Sequence, residues 1–326
     1  MQLSKNTFFK DQDSNEIREK AKESHEQDHF SWDGFPHYNP VSAWKYLKKY
    51  EKSFYPIPYI VETPSKTPRP SNCLRFVCIS DTHGYHYDIP GGIPSGDVLL
   101  FAGDFSCNSL KEEIDSFCNF LDLLPFKYKI VISGNHDIVF DVDFYNQFWK
   151  EFKHPSKLST SDEILELKRH CTYLHDQGCS VEGINIYGSP YQVWFCQWAF
   201  GLERGSECRK KWESIPLGTD ILITHGAPMG RMDISRDKRH NGDADLLEIV
   251  REKIKPKIHV FGHFHDNNGV SYDGQTVFIN ASILTDKYNP KYSAIVFDFP
   301  VSTKIEESCI DSKHFDEKEM PQSSKS

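Results

Sequence analysis

The chain has 326 residues, of which 38% are hydrophobic and 26% are charged, and its formal net charge is -9. That length allows one large domain or two medium ones with a real core. The acidic balance argues against general binding to nucleic acid or to anionic membrane surfaces, and no stretch approaches the roughly 20 apolar residues of a membrane helix, so we expect neither partner.

The cysteines and the N-terminal sequence indicate a compartment. Nine cysteines, an odd number, are scattered from Cys73 to Cys309 without a CxxC pair, and several lie among apolar residues. Such cysteines are typical of reduced core positions. The N-terminal sequence lacks the apolar run of a signal peptide. We therefore expect a cytoplasmic protein, whose oligomeric state the sequence leaves open.

Composition divides the chain into three segments. Residues 1–70 form a polar N-terminal extension, expected to be partly disordered, with a short helix in VSAWKYLKKYEKSF and a Pro-rich linker, TPSKTPRPSN. Residues 71–302 form the predicted core domain. Residues 303–326 form a polar C-terminal tail.

Short apolar, β-rich runs recur through the core domain and predict buried strands. In chain order they are LRFVCIS (74–80), DVLLFA (97–102), YKIVIS (128–133), INIYG (184–188), DILIT (220–224), KIHVF (257–261), TVFIN (276–280) and SAIVFDF (293–299). Helical patterns lie between several of these runs, for example at 110–124 and 243–254. The alternation predicts packed sheets that are covered by helices.

Five of the predicted strands are followed by residues that can bind a metal. The motifs are Asp81-Thr82-His83, Gly103-Asp104, Gly134-Asn135-His136-Asp137, His225-Gly226 and Gly262-His263-Phe264-His265. Ligands of open α/β sheets gather outside the carboxyl ends of the strands, so these motifs should converge. In the DxH and HxH pairs, residues i and i+2 can point to the same side if the backbone stays extended. Imidazole and carboxylate together suit Mn, Fe, Zn and related cations.

Each motif alone also has a purely structural interpretation, because DxH and GD occur at many turns. The motifs GNHD and GHxH are more specific, since Asn and His seldom follow a buried strand for packing reasons. Taken together and in this order, the motifs predict one metal centre.

The ordered motifs resemble those of the calcineurin-like metallophosphoesterases. The segments ISDTH, GDF, YKIVISGNHD, IYGSP, WFCQWAF, ILITHGAPMG, HVFGHFH and INAS are similar to the metallophosphoesterase domain-containing (MPPED-type) branch over residues 70–300. The resemblance implies an α+β fold, the metallo-dependent phosphatase fold: a four-layer α/β/β/α sandwich of two mixed β-sheets flanked by helices. It also implies two divalent metal ions, with Mn²⁺ as the first expectation and Fe, Zn²⁺ or Mg²⁺ as alternatives.

The resemblance divides seven ligands between the two metals: Asp81, His83 and His265 for one, Asn135, His225 and His263 for the other, and Asp104 for both. It further implies that His136 assists the leaving group and that Asp137 orients His136. Three residues would contact the substrate phosphate: Asn135, His136 and His225. Some members of the branch carry Gly where His263 stands, so its presence here predicts two occupied metal sites.

The implied reaction is hydrolysis of a phosphodiester, with cyclic nucleotides among the expected substrates. Metals can lower the pKa of bound water from 15.7 to about 7, so hydroxide on the metals would attack phosphorus, and His136 would serve the leaving group. The expected partner is a small-molecule phosphate ester such as a nucleotide. The alternatives are a phosphomonoesterase of the same fold and a binding or scaffold protein with a weakly active site.

Four further features have competing interpretations. His86 is interpreted as a solvated loop residue rather than a substrate contact, and His259 as a core residue rather than a ligand. Arg231 is interpreted as a surface arginine rather than a phosphate contact. The aromatic run at 191–198 fits a pocket wall and a packed hydrophobic patch equally well.

Overall fold

Two mixed β-sheets form the centre of the protein, which a computed structural model describes over residues 30–301. The strands are β1 (Cys73–Ile79), β2 (Val98–Ala102), β3 (Tyr128–Ile132), β4 (Thr172–Tyr173), β5 (Gln177–Val181), β6 (Ile184–Ser189), β7 (Gln192–Val193), β8 (Gly201–Leu202), β9 (Ile221–Thr224), β10 (Ile258–Phe261), β11 (Gly269–Tyr272), β12 (Val277–Asn280) and β13 (Ile295–Pro300). All eight strands predicted from the sequence are present.

The first sheet has the order β13-β1-β2-β3-β4, and the second has the order β11-β12-β10-β9-β6-β5. Neighbouring strands from β1 to β4 are parallel, as are those from β12 to β6. The outer strands β13, β5 and β11 are antiparallel to their neighbours. The carboxyl ends of the central strands of each sheet therefore lie at one edge of that sheet.

Helices cover the outer faces of both sheets. They are α1 (Pro40–Leu47), α2 (Lys111–Leu123), α3 (Val142–Phe148), α4 (Thr160–His170), α5 (Ser206–Glu213) and α6 (Ala244–Glu248), which continues as a π-helix over Ile249–Ile254. The 3-10 helices are Ile138–Phe140 and Trp149–Phe152. Polar side chains cap several starts: Ser159 accepts the backbone N–H of Asp162 before α4, and Asp243 accepts those of the first residues of α6. Within residues 30–301, no helix has the length and apolar character needed to cross a bilayer.

The alternation of side chains along each strand produces the layers. On β1, Phe76 and Cys78 belong to the cluster between the two sheets, whereas Val77 and Ile79 belong to the cluster that includes Phe117 of α2. A third cluster joins the outer face of the second sheet to α5 and α6. The expected four-layer α/β/β/α sandwich is confirmed.

Residues 30–51, here called the N-terminal segment, pack onto this sandwich. The predicted short helix is present as α1, and its residues Ala43 and Leu47 are fully buried in the third cluster. Further along, Ile60 forms a β-bridge with Phe297 of β13. The expected disorder of the first residues and the expected polar tail at 303–326 lie outside the described residues, and the boundary at residue 71 stays a prediction.

Candidate metal centre

The carboxyl ends of five strands, three from the first sheet and two from the second, bring the predicted ligands together. Candidate ligand atoms of Asp81, His83 and His265 lie within 4.8 Å of one another. The same limit joins a second group: Asp104, His225 and His263. The centre therefore lies between the two sheets, as the positions of the motifs after the strands predict.

Asp104 links the two groups, and Asn135 adjoins the second. One oxygen of Asp104, Oδ2, lies 3.5 Å from Nε2 of His83 and 3.3 Å from Nε2 of His225. The same His225 nitrogen lies 3.0 Å from Oδ1 of Asn135. A single carboxylate oxygen next to both groups has the position that a bridging ligand requires.

The orientation of the imidazoles tests whether these residues fit cations. Nδ1 of His83 donates to the carbonyl of Ser106, and Nδ1 of His265 donates to the carbonyl of Thr285. In the neutral rings the lone pairs then reside on the two Nε2 atoms, which face each other at 3.3 Å. Two such lone pairs repel unless a positive charge lies between them. Carbonyl acceptors of this kind fix the tautomer of metal-binding histidines, so the arrangement fits divalent cations.

The second group of candidate ligands also fits a cation. Nδ1 of His225 donates to the carbonyl of Ala102, which leaves Nε2 facing the oxygens of Asn135 and Asp104. Burial lowers the pKa of His225, but Asp104 and Asp81 outweigh burial and raise it to about 9. The carboxylates therefore create a centre that favours positive charge.

Most of the remaining ligands are held in their metal-binding protonation states. Burial lowers the pKa of both His83 and His263 to about 3, so these imidazoles are neutral at pH 7. Burial opposes ionisation of Asp104, yet His225 and His136 hold the pKa of this carboxyl well below its usual range. His265 differs, because Asp81 outweighs the effect of burial and raises the pKa of this imidazole. Neutral imidazole and ionised carboxylate are the forms that coordinate metals.

The backbone reaches this geometry through turns. Asp81, His83, Asp104 and His263 have φ values of 54°, 42°, 57° and 67°, in the left-handed region that L side chains seldom adopt. The extended backbone that was the condition for the DxH and HxH pairs is therefore not found, although the residues of both pairs still lie in the candidate ligand groups. Strained conformations of this kind are concentrated at functional sites. At Gly134 a Cβ would collide with the Asp104 carboxylate, so the turn requires glycine there.

His136 lies beside the centre, and one of its ring nitrogens lies within 4.8 Å of candidate ligand atoms of His83 and Asp104. Its ring is 4.5 Å from the His83 ring between centroids, nearly perpendicular to it, and stacks on the Trp198 indole at 3.9 Å. Nδ1 of His136 lies 2.7 Å from the carbonyl of Cys107. This contact, rather than Asp137, fixes the orientation of the ring.

Asp137 instead binds the backbone of two loops. Its Oδ2 accepts the N–H groups of Asp104 and Gly134, both at 2.9 Å, and its Oδ1 accepts the N–H and Oγ–H of Ser106 at 3.0 and 2.7 Å. The expectation that Asp137 orients His136 is thus corrected. A carboxylate next to a histidine in sequence suits either role, and only the fold separates them.

A cavity of about 640 Å³ opens over the centre. Asp104, Asn135, His136, His263 and His265 line its metal-facing part. Its apolar and aromatic lining includes Val193, Trp194, Phe195, Phe264 and Tyr288. Its further polar lining includes Arg204, Ser235, Arg236, Asp237, Asn241 and Asp286. The aromatic run at 191–198 therefore has both expected roles, because Trp194 and Phe195 line the cavity whereas Trp198 packs on His136.

Sequence reasoning missed part of this cavity. Tyr288, whose ring lies 4.8 Å from the His83 ring and 5.1 Å from the His265 ring, follows no strand or motif that would have indicated it. Two interpretations are wrong: His86 is 1% exposed and packs between Phe120 and the hydroxyl of Ser116, and Arg231 is 5% exposed. His259 is buried and lies 2.8 Å from the Thr224 hydroxyl, as expected for a core residue.

With this geometry established, comparison with known proteins identifies the class. The sequence model of the calcineurin-like phosphoesterase family matches residues 74–267, and the chain belongs to this family. Its members bind divalent metals and act on phosphoesters, which agrees with the ligand groups described above.

Three individual relatives indicate which branch of the family the chain resembles. The Homo sapiens protein "Metallophosphoesterase domain-containing protein 1" is 40% identical over 271 residues, which cover 80% of this chain and 82% of the relative. The Mus musculus protein of the same name has the same identity and coverage. A Caenorhabditis elegans UPF0046 protein is 38% identical over 268 residues, which cover 80% of this chain and 92% of the relative. The resemblance to the metallophosphoesterase domain-containing branch is confirmed.

Proposed function

We propose that this protein is a dinuclear metal-dependent phosphodiesterase that acts on nucleotides, cyclic nucleotides included. The observation that carries the proposal is the position of Asp104 Oδ2, which lies within 3.5 Å of a histidine from each ligand group. One metal would be held by Asp81, His83 and His265, the other by Asn135, His225 and His263, and Asp104 would bridge them. The nitrogen and oxygen ligands support Mn²⁺ first, with Fe, Zn²⁺ or Mg²⁺ as alternatives.

The residues of the chain prepare the site for an anionic ester. Bound there, two divalent cations would neutralise phosphate charge and make a nucleophile available from water near pH 7. Asn135 and His136 line the cavity, and together with His225 they are the residues that we expect to contact the phosphate. Because Nδ1 of His136 faces the Cys107 carbonyl, Nε2 is the ring nitrogen that can serve the leaving group. General acid help of this kind contributes about 10²–10⁴-fold.

The cavity supports an ester with a large substituent. The rings of Phe195 and Phe264 lie 5.9 and 5.1 Å from the His263 ring between centroids, and Ser235 and Asn241 also line the cavity. A nucleoside has both a flat apolar face and polar edges, so it matches a cavity with aromatic and hydrogen-bonding walls. The eight cysteines within residues 30–301 are unpaired, which supports a reducing, cytoplasmic location.

The test measures metal content and turnover of the purified full chain. Elemental analysis should find close to two metals per chain, and with Mn²⁺ an aryl phosphodiester should be hydrolysed faster than an aryl phosphomonoester. A panel of cyclic and linear nucleotides then identifies the substrate. Faster monoester turnover would favour the phosphomonoesterase, and empty sites without turnover would favour the scaffold.

A matched pair of variants tests whether the metal centre is responsible for the turnover. Asp104→Ala removes the bridging ligand and should abolish both metal retention and turnover. Asp122→Ala removes a carboxylate from the exposed side of α2 and should change neither. Full turnover in Asp104→Ala would refute the proposal.

A further inference from the structure

The N-terminal segment contacts the loop that follows His225. This loop, residues 226–243, is here called the His225 loop. The indole of Trp44 in α1 lies 3.8 Å from the ring of His240 between centroids, with 32° between the ring planes. The indole also borders Gly230, where φ is 77° and a Cβ would collide with the indole ring. Trp44 therefore packs directly on the backbone of the His225 loop.

A buried ion pair joins the same two parts of the chain. Glu51, just after α1, binds the guanidinium of Arg231 in the His225 loop, and the two side chains are 17% and 6% exposed. The guanidinium also stacks over the Phe278 ring at 4.8 Å and lies 3.8 Å from a carboxylate oxygen of Asp273. A buried arginine is costly without its partner, so Glu51 fixes where this part of the loop lies.

The His225 loop also lines the cavity. Four of its polar residues do so, Ser235, Arg236, Asp237 and Asn241, and so does Pro40 of α1. The end of the loop is held from another direction, because Arg204 donates to the carbonyls of Asn241 and Gly242 at 2.6 and 2.7 Å.

We propose that the N-terminal segment is a positioning element for substrate. Trp44 and Glu51 hold the His225 loop so that its polar side chains contact the part of the ester that extends beyond the phosphate. The inference rests on the proposed function in one respect only, namely that the phosphate of the ester binds at the metal centre. An ester that ends near the metals is insensitive to the segment, whereas a nucleotide reaches the loop and depends on it.

The kinetic test uses Trp44→Ala in the full chain, with Tyr46→Ala as the matched control. Tyr46 is on the same helix, but its ring contacts Phe30, Phe35 and Tyr50 within the N-terminal segment. We expect Trp44→Ala to raise KM for a nucleotide about tenfold, a change equivalent to 1.4 kcal/mol. KM and kcat for a methyl aryl phosphodiester should stay within twofold, and Trp44→Phe should recover most of the loss. An equal rise for both esters, or an equal effect of Tyr46→Ala, would overturn the proposal.

A second measurement tests how firmly the His225 loop is held, and it does not depend on catalysis. Arg236, Lys238 and Arg239 are exposed trypsin sites in the His225 loop. Mass spectrometry should show cleavage there about tenfold faster in Trp44→Ala than in the parent chain or in Tyr46→Ala. This result stands even if the chain hydrolyses no ester, so it separates failure of the positioning element from failure of the proposed function. If Trp44→Ala does not fold, Glu51→Gln takes its place, and unchanged cleavage in the folded variant contradicts the proposal.

Discussion

The substitution Asp137→Asn replaces one carboxylate oxygen by an NH₂ group where the loops after β2 and β3 meet. The less costly placement puts NH₂ near Ser106, whose hydroxyl can turn to accept, but the Ser106 N–H then loses its partner. A buried unpaired N–H costs about 1–3 kcal/mol, and each of the three remaining bonds loses about 1 kcal/mol of charge assistance. Burial, together with repulsion from Asp104, raises the pKa of this carboxyl to about 8, and the neutral amide avoids both penalties, which offsets part of the loss. We therefore expect a loss of about 3 kcal/mol in the free energy of unfolding.

Urea unfolding followed by circular dichroism measures this loss directly. For a domain of this size, 3 kcal/mol corresponds to a fall in Tm of about 6–12 °C. Metal content should fall as well, because the loops that carry Asp104 and Asn135 lose their common anchor. If Asp137→Asn kept its stability and its metals and lost only kcat, Asp137 would be acting on His136, and our interpretation of its contacts would be refuted.

Three other changes separate catalysis, metal binding and stability. His136→Gln should lower kcat by about 10²–10⁴-fold at constant metal content; a fall in metal per chain would show that His136 is a ligand. His263→Gly should remove about one metal per chain by elemental analysis, and unchanged stoichiometry would contradict its assignment. Arg75→Ala breaks a buried two-point ion pair with Asp298 and should lower the free energy of unfolding by about 3–5 kcal/mol in urea. A loss below 1 kcal/mol would show that the pair contributes little.

The strands and the ligand set could be predicted because each depends on local sequence. A strand buried on both faces, such as β2, is apolar at every position, and the residue that follows it is the first that can be polar. His225 directly follows β9, and Asp104 follows β2 after one glycine, Gly103. Convergence within each sheet then follows from parallel pairing, which requires no knowledge of side-chain contacts, whereas the meeting of the two sheets follows from the fold.

The features that were missed depend on packing between distant residues. The sequence around His86 is typical of a polar loop, yet α2 packs across this residue and buries it against Phe120. The sequence predicts that Arg231 is a surface residue, yet the N-terminal segment covers it with Glu51. Neither partner is near in sequence, so composition alone could not indicate the burial.

The candidate metal ligands also connect the two halves of the sandwich. Nδ1 of His225, from the second sheet, donates to the carbonyl of Ala102 in the first, and the Asp81 carboxylate accepts the N–H of His263 from across the interface. Cations bound between such residues stabilise the folded chain by mass action, by about 2.7 kcal/mol at a free concentration of one hundred times Kd. The stability of the folded chain would therefore depend on the free concentration of the cation. Where the cation is abundant, the chain would stay folded longer and would also react faster.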